Sequence, residues 1–205
     1  MNIYKNLLAA AVELDIDYEL MSSELLSVMS CEQSVPFSYP PTRDSNNEVT
    51  AYSLFLRQNE TSVDYSYRGY KQADLDSFLW NTNLKIPYTT QVIDSLPFNP
   101  LGTVRAVYFP DIPCVEHTDW DNQDDYVNTL GLTIIPSTGN VGCEVWDKEE
   151  NTYRYIPGNA MLLNDSIPHR VPACQGTRIA VRVFGNIDYS YFDDKIVKEH
   201  TYERN

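Results

Sequence analysis

The segment Val115–Asp121 reads VEHTDWD and is predicted to be extended as a β-strand. Successive side chains on a strand point to opposite faces, so residues two positions apart share one face. His117 and Asp119 can therefore reach the same point in space. His169 follows in a second predicted strand, and Arg178 begins a third. Two imidazoles, a carboxylate and a guanidinium in this pattern indicate a mononuclear metal site with an anion bound beside it.

From residue 103 onward, short apolar segments alternate with proline, glycine and asparagine turns. Eight strands are predicted, at residues 104–109, 114–119, 127–135, 142–147, 153–156, 160–164, 169–173 and 177–184. Short strands at this spacing are typical of a jelly roll or a barrel. We therefore predict a mainly β fold with flanking helices.

The remaining segments predict supporting elements and a tail. Helices are expected at residues 2–14, 18–29, 73–80 and 91–96, the last capped by Thr89 or Thr90, and a hairpin at 51–57 and 63–70. The predicted core residues of the first two helices are Leu7, Leu8, Val12, Leu14, Leu20, Leu25, Val28 and Met29. The polar tail from Asn186 is expected to fray. The predicted organisation is one structural domain, with supporting elements in 1–100, the β core in 101–185 and the tail in 186–205.

Charge and cysteine content limit the kinds of partner and compartment. The 205 residues carry a net charge of -14, and the sequence pI is near 4.4. So acidic a surface repels the phosphate backbone, which argues against duplex nucleic acid as a partner. The four scattered cysteines form no Cys-x-x-Cys pair and are expected to be reduced. Because neither a secretory signal nor a membrane-spanning apolar run is expected, the predicted location is the cytoplasm.

Two of the chain's three histidines belong to the candidate site. Two histidines and one carboxylate on one side of a metal leave coordination positions open for a co-substrate and for oxygen, which suits ferrous iron. Either histidine taken alone could instead be a hydrogen-bonded core residue, and that alternative stays open at this point.

Arg178, Ala180 and Arg182 share one face of their predicted strand. An arginine on the inward face of a barrel is costly unless it pairs with an anion. A guanidinium holds a carboxylate through two parallel hydrogen bonds, so Arg178 is a candidate for binding an anionic co-substrate, and Arg182 is a second candidate. A structural salt bridge or a solvated outer face is the alternative for both.

Together these residues resemble the 2-oxoglutarate- and Fe(II)-dependent oxygenases, in particular the branch of prolyl 4-hydroxylase-like and free-amino-acid hydroxylases. The His-Thr-Asp motif at residues 117–119 matches the family's His-x-Asp, His169 matches its distal histidine, and Arg178 matches the basic residue that follows. Tyr108 stands nine residues before the motif, where that branch often has a tyrosine. The resemblance spans roughly residues 102–185.

The resemblance implies a double-stranded β-helix (a cupin-like jelly roll) with Fe(II) held at one mouth by His117, Asp119 and His169. It implies 2-oxoglutarate and O2 as co-substrates, and hydroxylation of an unactivated C–H bond of a peptidyl or free amino acid, with proline among the candidates. The co-substrate would be decarboxylated to succinate and CO2. Candidates for binding 2-oxoglutarate are Arg178, Tyr108 and Arg182. Halogenating relatives replace the metal-binding acid with a small residue, so Asp119 favours hydroxylation.

Residues near the predicted ligands are candidates for binding the substrate or for orienting the histidines. Trp120, Asp121 and Trp146 are the substrate-binding candidates; a solvated acidic loop and packing on a sheet face are the alternatives. Asn164 and Arg170 flank His169 and are candidates for orienting its ring.

Two other functions stay open beside hydroxylation of an amino acid. The same iron centre could oxidise a nucleobase or nucleotide, or the chain could be a non-enzymatic, cupin-like protein that binds a metal or a ligand. The expected partner is a small molecule or a peptide, with no membrane partner, and the oligomeric state is not predicted.

Overall fold

The structure is a computed structural model that describes residues 4, 6–29, 42–43, 49–59, 78–109, 114–118, 130–137, 142–164, 166–172, 176 and 178–203. Within these ranges the helices are α1 (Tyr18–Met29) and α2 (Pro87–Asp94), followed late in the chain by a 3-10 helix (Tyr189–Phe192). None of the helices in this part of the chain is long and apolar enough to cross a membrane. The strands are β1 (Leu7–Val12), β2 (Thr42–Arg43), β3 (Val49–Asn59), β4 (Phe78–Trp80), β5 (Phe98–Phe109), β6 (Cys114–His117), β7 (Leu130–Ile134), β8 (Gly142–Asp147), β9 (Thr152–Pro157), β10 (Ala160–Asn164), β11 (His169–Val171), β12 (Arg178–Ile187) and β13 (Ile196–Glu203).

The strands form two antiparallel sheets. The larger sheet has the order β13-β1-β10-β7-β12-β5-β3-β2, with β4 paired to β3, and the smaller has the order β6-β11-β8-β9. From β5 to β12 the chain passes back and forth between the sheets, so that β5, β7, β10 and β12 lie in one and β6, β8, β9 and β11 in the other. This connectivity is that of a jelly roll. The predicted fold class, a mainly β double-stranded β-helix with flanking helices, is confirmed.

Two apolar layers surround the larger sheet. The helix-side layer packs α1 and α2 against one face, and the interior layer fills the space between the two sheets. On β12, Ile179 and Val181 belong to the helix-side layer and Ala180 to the interior layer. Because side chains alternate along a strand, Arg178 and Arg182 share the interior face with Ala180, as the sequence predicts.

Residues 7–12 form a strand, so the predicted helix at 2–14 is wrong. Strand β1 lies between β10 and β13 and pairs with both. Its residues are buried on both faces, and a strand of this kind is a continuous apolar run that periodicity cannot distinguish from a buried helical segment. Pairing on both sides therefore overrides the helix propensity of leucine and alanine.

The tail beyond Asn186 is also ordered, contrary to the predicted fraying. The 3-10 helix is capped by Asp188, whose side chain accepts a hydrogen bond from the Ser190 amide, and the helix buries Phe192 completely. Strand β13 then pairs with β1 at one edge of the larger sheet. The two ends of the described chain therefore lie side by side and extend the jelly roll.

Helix α1 is confirmed at Tyr18–Met29, although two of its predicted core residues are wrong. Its buried residues are Met21, Leu25 and Val28. Leu20 and Met29 are exposed by 44% and 37%, because the buried face follows the helical spacing that starts from Met21.

The predicted helix near residue 91 begins earlier, at Pro87, and no threonine caps it. Glu24 of α1 does so instead, since its carboxylate accepts hydrogen bonds from the Tyr88 amide at 2.9 Å and from the Thr89 amide and hydroxyl at 2.8 Å each. A carboxylate is favourable at a helix N-terminus, where the amides lack partners within the helix. Glu24 thus fixes α2 against α1.

Two other predicted segments are only partly described. The first arm of the predicted hairpin, 51–57, lies within β3, while the second arm, 63–70, is outside the described residues. Of the predicted helix 73–80, residues 78–80 form strand β4 paired to β3, and 73–77 are outside the described residues.

Replacing Glu24 by alanine is expected to lower the free energy of unfolding by about 2 kcal/mol, because donors at the start of α2 lose their acceptor. In a chain of this size the midpoint of thermal unfolding should fall by roughly 4–8 °C. Glu199→Ala on the exposed side of β13 is the matched control, with an expected change below about 0.5 kcal/mol. Equal midpoints for the two variants would show that Glu24 does not stabilise α2.

Candidate metal centre

His117 and His169 face each other across the paired strands β6 and β11. They are directly opposite in register, and their ring centroids are 4.3 Å apart. Val145, which is opposite His169 on β8, belongs to the interior layer. Residues directly opposite on neighbouring strands share a face, so both imidazoles point into the space between the sheets. The structure therefore brings together two of the three predicted metal ligands.

The ring of His169 is fixed by a backbone carbonyl. His169 is only 3% exposed, and its Nδ1 lies 2.9 Å from the carbonyl oxygen of Ile167. A carbonyl can only accept, so Nδ1 carries the proton and donates it. The other ring nitrogen, Nε2, is then left with its lone pair, as a metal ligand requires.

The loop that supplies this carbonyl is organised by Asn164. The Oδ1 of Asn164 accepts hydrogen bonds from the Ser166 amide and hydroxyl, and the Ile167 amide donates to the Asn164 carbonyl at 3.4 Å. Asn164 therefore stabilises the loop whose carbonyl orients the His169 ring.

Arg170 is turned away from His169. Its Nε forms an ion pair with Glu144 Oε2 at 2.5 Å, and its guanidinium lies 3.8 Å from the centroid of the Tyr153 ring. Arg170 is opposite Glu144 in register, on the strand face that alternates with that of His169 and Val145. The structure therefore places Arg170 on the outer face of the smaller sheet, where it links β11, β8 and β9.

Three predicted site residues, Asp119, Trp120 and Asp121, lie outside the described residues. Within the described ranges no group of three histidine, cysteine or acidic residues is close enough to hold a metal; the predicted third ligand, Asp119, lies outside these ranges. The two described histidines nevertheless suit a divalent metal ion, ferrous iron among others. Two inward-facing imidazoles, one with its free nitrogen set by a backbone hydrogen bond, are donors that first-row divalent metals accept.

Arg178 lies in the interior layer on the sheet opposite the histidines. Its side chain is 3% exposed, and it is paired in register with Phe109 of β5. Burial raises the pKa of Cys143 on β8 to about 12, while the positive charges of Arg178 and Arg182 act in the opposite direction. Both arginines are therefore within electrostatic range of the buried centre of the jelly roll.

Arg105 also faces this interior, and the motif-based prediction missed it. It lies directly opposite Arg182, on the face of β5 that it shares with Val107 and Phe109 of the interior layer. Arg105 is the single charged residue within the apolar run VRAVYF, which could have marked it as a buried functional residue. It belongs to no motif, however, so a search by motif does not find it.

Tyr108 does not reach the site. It is 1% exposed in the helix-side layer, and its hydroxyl donates a 2.9 Å hydrogen bond to the Leu25 carbonyl of α1. Burial raises the pKa of Tyr108, so the hydroxyl stays protonated and serves as the donor. Its neighbours Val107 and Phe109 occupy the interior face instead. This position corrects the predicted role of Tyr108 as a ligand for 2-oxoglutarate.

Tyr108→Phe is expected to lower the free energy of unfolding by about 1 kcal/mol, because it removes one buried hydrogen bond between β5 and α1. The affinity for 2-oxoglutarate should change by less than about twofold, since the hydroxyl lies on the far side of the sheet. Denaturant unfolding and a 2-oxoglutarate titration of the same preparation check the two parts. A large loss of 2-oxoglutarate affinity with unchanged stability would show that Tyr108 does contact 2-oxoglutarate.

Trp146 packs on the outer face of the smaller sheet. It is opposite Tyr153 in register, with the two rings edge to face and their centroids 5.1 Å apart. Its neighbour Val145 occupies the interior face. The structure therefore gives Trp146 the packing position that was the alternative to a substrate contact.

No family model and no curated protein matches the chain. Solved structures similar to it include a prolyl-4-hydroxylase from Pseudomonas putida, with 12% identity, a TM-score of 0.46, and 87% of this chain and 91% of that chain covered. Another is a full-length Neurospora crassa protein in complex with alpha-KG, with 12% identity, a TM-score of 0.46, and coverage of 88% and 74%. A third is a dioxygenase for auxin oxidation from rice, with 11% identity, a TM-score of 0.47, and coverage of 90% and 76%.

At such low identities and TM-scores, these likenesses carry no weight for the chemistry of the site. Fold and site together define a jelly-roll protein with two inward histidines on one sheet and inward arginines on the other. The function is therefore inferred from these side chains.

Proposed function

We propose that the chain is an Fe(II)- and 2-oxoglutarate-dependent dioxygenase. It uses O2 to hydroxylate an unactivated C–H bond of a peptidyl or free amino acid; one oxygen atom enters the product and the other enters succinate as 2-oxoglutarate is converted to succinate and CO2. The observation that carries the proposal is the pair of inward imidazoles, His117 and His169, 4.3 Å apart between the two sheets.

His117 and His169 would hold the iron together with Asp119, which follows His117 by two residues. The protein then contributes three ligands, and the remaining coordination positions are left for small molecules. Iron and 2-oxoglutarate supply the oxidising chemistry when bound, and the protein supplies binding, orientation and a dry environment.

Arg178 would hold the far carboxylate of 2-oxoglutarate. A guanidinium buried to 3% exposure is strongly stabilised by a carboxylate that accepts two parallel hydrogen bonds from it. Its place on the larger sheet, opposite the histidines, suits a linear dicarboxylate that extends from the metal into the interior.

The apolar interior layer would exclude water from the reacting atoms. Its members from both sheets include Val107, Ala180, Val145, Ile156 and Met161, each exposed by no more than 6%. An interior of this kind strengthens electrostatic contacts and protects reactive species from side reactions.

Release of succinate from 2-oxoglutarate, screened over free amino acids, proline-containing peptides and nucleotides, tests the proposal. We expect succinate release to rise above the uncoupled background with an amino acid or a peptide. If succinate release rose only with nucleotides, the substrate would be a nucleotide and not an amino acid or a peptide. No succinate with any compound, together with a preference for zinc, would instead favour the non-enzymatic binding protein.

A further inference from the structure

The ring of Phe184 on β12 points into the space between the two sheets. Its neighbour Val183 belongs to the helix-side layer, so the alternation along the strand turns Phe184 to the interior face. The ring packs against Gly131 of β7, where an added Cβ would lie 3.2 Å from the ring Cε1 and 3.5 Å from Cδ1. The guanidinium of Arg182 lies 5.4 Å from the ring centroid. These two contacts hold the ring in one place.

A contact between Cys143 and Met161 shows which levels of the two sheets face each other. The sulfur of Cys143 on β8 lies 3.2 Å from the sulfur of Met161 on β10. Both residues are close to the short turn that joins β9 to β10, since Cys143 is opposite the last residue but one of β9 and Met161 is the second residue of β10. Val145 and Leu163 each lie two residues, or about 7 Å, further from this turn. The level of Val145 on the smaller sheet therefore faces the level of Leu163 on the larger sheet.

The imidazole pair and Phe184 lie at this common level, on opposite sheets. Val145 is directly opposite His169 of β11. Leu163 is directly opposite Gly131, against which the Phe184 ring packs. The ring therefore faces the imidazoles across the interior.

The interior is accessible at the level of Phe184 and closed at the level of Arg178. Phe184 and His117 are both partly exposed. Further along β12, Ala180 is 4% exposed and Arg178 is 3% exposed. A substrate that approaches the imidazoles from solvent therefore passes the ring of Phe184.

Three neighbouring residues make this part of the larger sheet apolar: Phe184 on β12, Gly131 on β7 and Leu163 on β10, together called the Phe184 wall. A charged group that is buried against such a surface without a partner is unfavourable, whereas an aliphatic group gains from the removal of its surface from water. Arg182 lies on the side of the ring toward Arg178, where the proposed function places 2-oxoglutarate. The Phe184 wall therefore suits an uncharged aliphatic group held in front of the imidazoles.

We propose that Phe184 contacts the substrate and that the group to be hydroxylated is an uncharged aliphatic side chain, as in leucine, isoleucine, valine or proline. The charged side chains of lysine, arginine and glutamate are excluded from this position. The assignment rests on the proposed function, in which His117 and His169 hold the metal.

The first test measures binding without turnover. Calorimetry is carried out on the anaerobic full chain with Fe(II) and 2-oxoglutarate, and each amino acid is offered both free and as the central residue of a glycine tripeptide. In at least one of the two forms, leucine should bind about tenfold or more tightly than lysine. Phe184→Ala should weaken the binding of leucine by about tenfold or more, since even one missing methylene in an apolar pocket changes discrimination by about 10- to 200-fold. The affinity for 2-oxoglutarate should change by less than about twofold.

Val183→Ala is the matched control for this measurement. It truncates a fully buried apolar side chain on the same strand, but on the helix-side face. The affinity for leucine should stay within about twofold of the wild type. An equal loss of leucine affinity in Phe184→Ala and Val183→Ala, or no preference for leucine over lysine in either form, would overturn the role of Phe184.

The second test uses turnover to detect a change of substrate preference, which a purely structural role of Phe184 would not produce. In Phe184→Ala the space left by the ring should admit a larger side chain, so kcat/KM for phenylalanine should rise about tenfold or more relative to that for leucine. Gly131→Ala pushes the ring away from β7 by a few tenths of an ångström and should lower kcat/KM for leucine more than for alanine. Phe184→Leu should lie between the wild type and Phe184→Ala, and it is the test variant if Phe184→Ala fails to fold.

The outcomes separate this inference from the proposed function. Succinate release that is driven only by charged amino acids, or an unchanged preference between phenylalanine and leucine in Phe184→Ala, would overturn the role of Phe184 and leave the dioxygenase in place. No succinate release with any compound would overturn the dioxygenase, and with it the assignment of the Phe184 wall to a substrate.

Discussion

His169→Ala is expected to weaken Fe(II) binding by more than about 100-fold and to abolish succinate release. Removing even a residue that only supports a metal ligand costs roughly 10- to 100-fold in affinity, so removing a ligand should cost at least as much. The affinity is measured by anaerobic titration with Fe(II). Because His169 is 3% exposed and hydrogen-bonded to Ile167, the fold of the variant must be checked by its unfolding midpoint.

The matched control is His200→Ala. His200 is the chain's third histidine and lies on β13, at the edge of the larger sheet beyond β1. Its replacement should leave the iron affinity unchanged within about twofold. Retention of tight iron binding by His169→Ala, or an equal loss in both variants, would remove His169 from the metal site.

Arg178→Gln is expected to raise the KM for 2-oxoglutarate by about 30-fold or more, which corresponds to at least about 2 kcal/mol for truncating one partner of a buried charge pair. Fe(II) affinity should be nearly unchanged, because the guanidinium lies on the opposite sheet from the histidines. Glutamine retains a hydrogen-bond donor but loses the charge and the second parallel donor. The KM is measured from succinate release at saturating Fe(II).

Tyr108→Phe provides the comparison for this measurement, since both residues were candidates for the co-substrate and only Arg178 lies on the interior face. A KM that rises in Arg178→Gln and not in Tyr108→Phe is the expected pattern. If the KM for 2-oxoglutarate were unchanged in Arg178→Gln but rose strongly in Arg182→Gln, Arg182 and its neighbour Arg105 would be the residues that bind 2-oxoglutarate.

The jelly-roll core could be predicted from the sequence because its strands are short and are separated by strong turn residues. Strands β8 and β10 have the predicted bounds, and the register of β6 against β11 places His117 opposite His169. The turn residues on either side were sufficient to bound such segments, since β10 itself is buried on both faces and shows no alternation.

Elements whose structure depends on distant pairing could not be predicted in the same way. Strand β1 is apolar on both faces because it lies between β10 and β13, and the sequence of Leu7–Val12 is equally compatible with a buried helix. The cap of α2 comes from Glu24, more than sixty residues away in the chain, so it leaves no local signal at the start of that helix.

When a strand is buried on both faces, its sequence does not show which side chains point toward the site. In the run from Val104 to Phe109 nearly every side chain is apolar, so the apolar pattern does not distinguish the two faces. The predicted role of Tyr108 therefore depended only on its spacing from His117. In the structure Tyr108 points to the other face, where its hydroxyl binds the Leu25 carbonyl. Arg105 is the exception within that run, and its charge marks the interior face once the register with Arg182 is known.

The most direct test of the iron centre is an anaerobic titration followed by absorption spectroscopy. Fe(II) is added to the metal-free chain and 2-oxoglutarate is added afterwards. We expect a visible charge-transfer band that saturates at one Fe(II) per chain and that is greatly weakened by Asp119→Ala. A site that takes up zinc in preference to iron, and that 2-oxoglutarate never perturbs, would contradict the proposed iron centre.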